Sequence, residues 1–164
     1  MNKNKQDLSD FKKAFNKAFK SETYSFGISG TPVAKARPRG FKNKAGQVRM
    51  YTPKKSKDFE YAIRQRAEAI FEKPLTGPIS LEVTFFLPRP KAMTWKKRPM
   101  PAVPNTVRPD LTNFIKSCED GLNGIAYLDD GQIARLKATK YYHEGGKGPW
   151  TQIEIREMEV DKNE

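Results

Sequence analysis

Five carboxylates in one short segment could bind a metal ion. The segment RPDLTNFIKSCEDGLNGIAYLDDGQI, residues 108–133, contains Asp110, Glu119, Asp120, Asp129 and Asp130. Adjacent like charges destabilise a fold unless something compensates them. Mg²⁺ and Mn²⁺ prefer oxygen ligands, and they catalyse phosphodiester hydrolysis by activating water and stabilising the leaving oxygen. The segment therefore predicts a metal site with that chemistry.

The charge of the rest of the chain predicts a polyanionic partner. The 164 residues carry a formal net charge of +12, which favours nucleic acid over the less common alternative, an anionic membrane surface. Residues 35–57 hold nine basic residues and no acidic one, and residues 88–109 hold six and none. The acids would then form a metal pocket within a basic DNA-binding surface. The basic residues from which we expect DNA contacts are Lys35, Arg37, Arg39, Lys96, Lys97, Arg98 and Lys140.

Other catalytic chemistries have too few residues to support them. His143 and Cys118 are the single histidine and cysteine, so a zinc site of Cys and His ligands cannot be assembled. His143 has no nucleophile motif nearby, and no GxxxxGK[ST] phosphate-binding loop is present. A lone cysteine also excludes an internal disulfide and fits a reducing cytosol. No apolar run approaches the ~18 residues that a membrane helix needs, and the N-terminus lacks the apolar region of a secretion signal. We therefore expect a cytoplasmic protein without a membrane partner.

A helix is expected to carry the first three acids. Asp110 is a good N-cap residue, and an apolar stripe follows it at helical spacing, formed by Leu111, Phe114, Ile115, Cys118 and Leu122. The opposite face is polar and contains Thr112, Asn113, Lys116, Glu119 and Asp120. Asp129 and Asp130 would then lie where the next strand begins. A purely structural interpretation remains open, in which Asp110 caps the helix, Lys116 pairs with Asp120, and Asp129 and Asp130 form a turn.

The remaining patterns predict an α+β fold with one main domain. Alternating residues predict strands at 24–29, 79–87, 132–142 and 150–157, and a second helix is expected to start at Pro53. The Gly- and Pro-rich segments 35–57 and 88–109 are interpreted mostly as loops, the second one long and mobile. Leu8, Phe11, Phe15 and Phe19 predict a helix over residues 7–20. We therefore expect an N-terminal helical extension at 1–22 and a domain at 23–160.

At residues 108–140 the sequence resembles the RusA-type Holliday junction resolvases of bacterial chromosomes and prophages. The shared pattern is Pro-Asp, Asn, Lys, Asp, Leu-Asn-Gly, Asp-Asp, Gln and a downstream Lys, and "GTPVAKARPR" and "YTPKKSKDFE" extend the resemblance towards the N-terminus. It implies a small homodimer that cuts four-way DNA junctions with Mg²⁺ or Mn²⁺ in recombination and repair. It also implies catalytic roles for Asp110, Lys116 and Asp130, with Asp129 adjacent. The motif's other acids and amides fall on Asn113 and Asp120.

The sequence departs from the family pattern at Thr112, where well-known members have a second aspartate. A hydroxyl cannot supply the charge of a carboxylate at a metal ion, so Glu119 or Asp120 would have to substitute for it. Glu119 lies seven residues further on, which places it on the same helical face. This departure also leaves open a different class of function, a non-catalytic DNA-binding or architectural protein. A third possibility, a basic RNA-associated protein of ribosomal type, is disfavoured by the clustered acids.

Overall fold

A mixed five-stranded sheet with two helices on one face forms the body of the protein. The computed structural model describes residues 22–159. Its strands are β1 (Thr23–Ser29), β2 (Arg39–Lys42), β3 (Val48–Tyr51), β4 (Ile79–Leu87), β5 (Val103–Pro104), β6 (Ile133–Tyr142) and β7 (Trp150–Glu157). Its helices are α1 (Lys54–Glu68) and α2 (Leu111–Leu122). The predicted α+β fold is confirmed.

The order of the strands places α2 beside the start of β6. The main sheet has the order β1–β7–β4–β6–β5, and β2 pairs only with β3 in a separate hairpin. Within the main sheet β4 and β6 are parallel, and the other neighbouring strands are antiparallel. A parallel pair needs a crossover connection, and here that connection contains α2. The acidic segment thus runs along one helix and ends where β6 begins.

Alternating side chains of β4 form the centre of the core. Leu81, Val83 and Phe85 are fully buried on one face of β4, as their spacing predicted, and α1 and α2 cover that face. The helices contribute their own apolar stripes, which are Phe59, Ile63 and Ala67 from α1 and Phe114, Ile115, Cys118 and Leu122 from α2. This packing fixes α2 against the sheet and turns its polar face outward.

Gly121 lets the two helices approach closely. A Cβ atom added at Gly121 would lie 2.9 Å from Cβ of Ile63 and 3.0 Å from the backbone oxygen of Glu60, both on α1. Neither atom is the end of a flexible side chain, so a larger residue would push the helices apart. The orientation of the acidic face of α2 depends on this contact.

Replacing Gly121 with Ala should therefore lower the free energy of unfolding. Overpacking typically costs about 1–3 kcal/mol, and the better helix propensity of alanine offsets about 1 kcal/mol of that. We expect a net loss of up to about 2 kcal/mol, measured as a lower midpoint of urea unfolding. An unchanged or raised midpoint would show that α1 and α2 can move apart without lowering the free energy of unfolding.

Two of the predicted loops contain more structure than expected. Segment 35–57 contains the β2–β3 hairpin, so the loop interpretation is wrong for residues 39–42 and 48–51. Segment 88–109 contains a 3₁₀ turn, Lys91–Met93, and the short strand β5. The Arg89 guanidinium holds this segment in place by donating to the carbonyl oxygens of His143 and Pro101. The expected helix at 7–20, and with it nearly all of the N-terminal extension, lies outside the described residues.

No helix within residues 22–159 is both long and apolar enough to cross a membrane.

Candidate active site

The Asp110 carboxylate lies at the N-terminal end of α2. Asp110 is the N-cap residue of α2, as predicted, but its side chain makes no capping hydrogen bond to the helix backbone. The Lys140 ammonium holds the preceding segment by donating to the carbonyl oxygens of Val107 (2.6 Å) and Pro109 (2.8 Å). These contacts favour a positioning role for Lys140, whose predicted DNA contact remains untested.

Lys116 joins two carboxylates that come from different parts of the chain. Its Nζ atom lies 3.1 Å from Oδ2 of Asp130 and 3.4 Å from Oε2 of Glu119. The Lys116 side chain is half exposed, and that of Glu119 is only 17% exposed. The structure therefore brings together three of the predicted site residues. The alternative pairing of Lys116 with Asp120 is wrong.

These contacts keep Lys116 protonated. The hydrogen bond to Asp130 raises the pKa of the ammonium, partial burial lowers it, and the nearby Glu119 charge raises it again, with a net upward shift. An ammonium has three N–H donors, and two of them face Asp130 and Glu119. The remaining donor is available to an anion at the surface.

Asp120 is held on another side of α2 by Lys35. The Lys35 ammonium lies 2.7 Å from Oδ2 of Asp120 and 2.7 Å from Oε1 of Glu60. Its backbone N–H also donates to the carbonyl oxygen of Asn113 at 2.8 Å. Burial is the largest single influence and lowers the pKa of Lys35, but the hydrogen bonds to Asp120 and Glu60 outweigh it. These contacts favour a structural role for Lys35 and Asp120, which tie α2 to α1.

Asp129 shapes the turn that presents Asp130. Its Oδ1 atom accepts a hydrogen bond from the N–H of Gly131 at 2.8 Å, and Gln132 Oε1 accepts from the N–H of Asp129 at 3.0 Å. This reciprocal arrangement is a capping box. Gln132 also donates to the carbonyl oxygens of Leu75 and Gly77. Gln132 is part of the shared family pattern but had no predicted structural role, although an acid followed three residues later by Gln is the signature of this cap.

The carboxylates fit a site for Mg²⁺ of the kind that is completed by the substrate. The described residues 22–159 contain no cluster of three or more Asp, Glu, His or Cys that could hold a metal ion. Glu119 and Asp130 nevertheless converge on one cationic atom, the Lys116 nitrogen. Mg²⁺ is commonly bound by one or two carboxylates together with substrate phosphates and water. Carboxylate oxygens suit a hard cation. Of the five predicted acids, the structure brings Glu119 and Asp130 together at Lys116, and Asp110 lies at the N-cap of α2.

The other predicted residues do not belong to this cluster. Arg37, Lys96, Lys97 and Arg98 are exposed, and Arg39 begins β2. His143 follows the last residue of β6, whereas Asp130 precedes the first. The 10 residues of β6 span about 33 Å. His143 is thus too distant to act with Asp130.

The comparisons with known proteins point to one family. The family model described as Endodeoxyribonuclease RusA matches residues 29–156. The uncharacterized protein YqaN of Bacillus subtilis (strain 168) is 35% identical over 139 residues, which cover 81% of this chain and 95% of the relative. The crossover junction endodeoxyribonuclease rusA of Lactococcus phage r1t is 27% identical over 140 residues, covering 82% of this chain and 97% of the relative.

Proposed function

This chain belongs to the RusA endodeoxyribonuclease family, and we propose that it resolves four-way DNA junctions by metal-dependent hydrolysis of phosphodiester bonds. The observation that carries the proposal is the contact of the Lys116 ammonium with both Asp130 and Glu119. This cluster places an ammonium group that can bind a phosphate beside carboxylates that can bind a metal ion. The phage relative is named a crossover junction endodeoxyribonuclease, which agrees with this substrate.

The residues of the site divide into binding and charge-stabilising roles. Asp130 and Glu119 would hold Mg²⁺ or Mn²⁺, and Asp110, which does not form a three-residue cluster with them in the described structure, would join them when the ion binds. The bound ion would activate a water molecule and stabilise the leaving oxygen. Lys116 donates its free N–H to a non-bridging oxygen of the scissile phosphate and offsets the negative charge that develops there. Asp129 and Gln132 keep the turn in place, so that Asp130 stays close to Lys116.

Two matched cuts in a four-way junction require two active sites. We propose a symmetric homodimer, because a two-fold assembly presents two identical sites to a two-fold junction. β6 pairs with β5 only through Tyr141 and Tyr142. Elsewhere in β6, Leu136 is 44% exposed. Leu128, next to the turn that carries Asp129 and Asp130, is 59% exposed. Apolar exposure beside an open strand edge supports a contact between copies there.

Cleavage of a labelled junction tests the function. The full-length protein is incubated with a four-way junction, each strand labelled in turn, with Mg²⁺, with Mn²⁺ or with EDTA. We expect paired nicks at symmetry-related positions with either ion and none in EDTA. Binding without cutting would instead support an architectural DNA-binding protein, and equal cutting of a linear duplex would refute selectivity for junctions.

Lys116→Ala should slow single-turnover cleavage by about 10- to 100-fold, because one donor to the developing charge is lost. Junction affinity should change little, since the basic loops are intact. Lys137→Ala is the matched control, because Lys137 forms a comparable exposed ion pair with Glu82 at 2.6 Å. If Lys116→Ala costs less than about threefold, which is ~0.7 kcal/mol of barrier, Lys116 forms only an ordinary surface pair.

Replacing Lys96, Lys97 and Arg98 together with Ala should weaken junction binding and flatten its dependence on salt. Each lost phosphate contact reduces the slope of log affinity against log salt by about 0.9, so we expect a decrease of about 1–3. A second triple variant at Arg64, Arg66 and Lys73 removes the same charge from exposed positions on and after α1. If the slope of log affinity against log salt is the same for the two variants, residues 96–98 make no specific contact with DNA.

A further inference from the structure

The β2–β3 hairpin has two different exposed faces. Directly opposite residues of an antiparallel pair share a face, and their side chains alternate along each strand. The register pairs Phe41 with Arg49, and Tyr51 lies two residues from Arg49. The rings of Phe41 and Tyr51 meet edge to face, with centroids 6.0 Å apart. One face is thus aromatic and cationic, and the other carries Val48 and Met50 above Gly40.

This hairpin holds a large share of the exposed apolar side chains. Of the nine large hydrophobic residues exposed within residues 22–159, four lie here, with Phe41 50% and Tyr51 44% exposed. A two-stranded hairpin alone is marginally stable in water. Exposed apolar groups concentrated in one element mark an interaction surface. The hairpin therefore needs a partner that it does not find in the described body of the protein.

The base of the hairpin is fixed next to the catalytic helix. The backbone of Lys35 bonds to Asn113 of α2, and its ammonium bonds to Asp120. The hydroxyl of Ser56 on α1 accepts from the N–H of Ala36 and donates to a carbonyl oxygen beside it. Arg39, where β2 begins, is four residues from Lys35, so the hairpin starts within about 14 Å of that anchor. A partner that binds the base of the hairpin therefore lies within about 14 Å of this anchor on α2.

The charge of the segment suits a polyanionic partner, and the endodeoxyribonuclease family of this chain makes DNA the fitting one. Residues 35–57 contain no carboxylate, so nothing in them repels phosphate. Aromatic rings beside a guanidinium are a surface on which unpaired bases stack, whereas a paired duplex hides the faces of its bases. Duplex arms alone would need only the basic residues. The branch point of a junction is the place where such bases become accessible.

We infer that Phe41 and Tyr51 stack on bases that come unpaired at the branch point, so that the hairpin selects branched DNA and holds it open beside α2. This inference rests on the proposed function for its substrate. Arg49 strengthens the stack through its charge, and the Val48 and Met50 face makes no base contact. The hairpin thus recognises the shape of the substrate, while the carboxylates and Lys116 carry out the chemistry.

Binding in EDTA tests the inference separately from cleavage. The probes are a four-way junction with 2-aminopurine at the branch point and a linear duplex of the same sequence. We expect wild-type protein to raise the fluorescence of the junction probe, because unstacked 2-aminopurine is brighter. Phe41→Ala and Tyr51→Ala should each abolish most of that rise and weaken junction affinity at least about fivefold, as for the loss of one stacked base. Affinity for the duplex should change less than twofold.

Val48→Ala is the matched control on the opposite face, and Phe41→Trp should restore both signals. Unfolding midpoints and sedimentation identify variants that have lost folding or self-association. A fluorescence rise that survives Phe41→Ala and Tyr51→Ala would overturn the inference, as would equal losses for junction and duplex. If either variant changes only the oligomeric state, the hairpin face contacts a second copy and the inference is wrong. Failure of the wild type to cut a junction that it opens would refute the proposed function alone.

Discussion

Asp110→Asn should reduce junction cleavage by more than about a hundredfold while leaving junction binding intact. The Asp110 carboxylate stands at the start of α2 without a capping bond to the helix, so its structural contribution is limited to the favourable interaction of an anion with the helix N-terminus, about 0.3–1 kcal/mol. As a metal ligand it is expected to be nearly indispensable, because the metal supplies both the activated water and the stabilisation of the leaving oxygen. Asparagine keeps the size of the side chain and removes the charge. Binding should stay equal or tighten, because one negative charge facing phosphate is removed.

The matched control for Asp110→Asn is Asp58→Asn, the same change at an exposed position of α1. Single-turnover cleavage with saturating protein separates the chemical step from binding. The control should cut at the wild-type rate. A normal rate for Asp110→Asn with Mg²⁺ would show that this carboxylate is not part of the metal site. The same comparison applies to Asp130→Asn, for which we expect an equally large loss.

The sequence predicted the elements that carry strong periodicity. β4 and the apolar stripe of α2 each repeat a buried residue over nine or more positions, and both were placed correctly. The β2–β3 hairpin was missed because each strand has only four residues and lies among Gly and Pro. A signal for it does exist. Asn43 accepts hydrogen bonds from the N–H groups of Ala45 and Gln47, and Gly46 adopts φ +77°, which is turn chemistry typical of hairpins.

The Lys116–Glu119 contact is an i, i+3 helix pair that spacing can predict, but the pairs of Lys116 with Asp130 and of Asp120 with Lys35 depend on tertiary placement. On an isolated helix Lys116 would pair with Asp120, four residues later. In the fold Asp120 meets Lys35, which comes from the segment before the hairpin, and Lys116 meets Asp130, which follows the helix. Both partners are distant in sequence, so a helical periodicity contains no information about them. The family resemblance identified the residues but not these pairings.

We expect Glu119, and not Asp120, to compensate for the carboxylate that is missing at Thr112. Glu119→Gln should slow cleavage by about 10- to 100-fold, because Glu119 shares the Lys116 ammonium with Asp130. Asp120→Asn should change the rate less than about threefold, because Asp120 pairs with Lys35 on another side of the helix. Unfolding midpoints will identify any loss of stability in Asp120→Asn, for which a partly exposed pair predicts at most about 1 kcal/mol. The reverse order of the two rates would make Asp120 the ligand.

A double variant tests whether Glu119 replaces a carboxylate at position 112. Residues seven apart on a helix differ by about 20° in azimuth and lie about 10 Å apart along the axis. Glutamate is long, and helical side chains lean towards the N-terminus, so Glu119 can reach towards the first turn. The Thr112→Asp, Glu119→Gln double variant should therefore cleave at least about tenfold faster than the Glu119→Gln single variant. Thr112→Asn is the uncharged control in that background. If a folded Thr112→Asp variant recovers nothing, the two positions do not serve the same metal ion, and Thr112 is an ordinary first-turn residue.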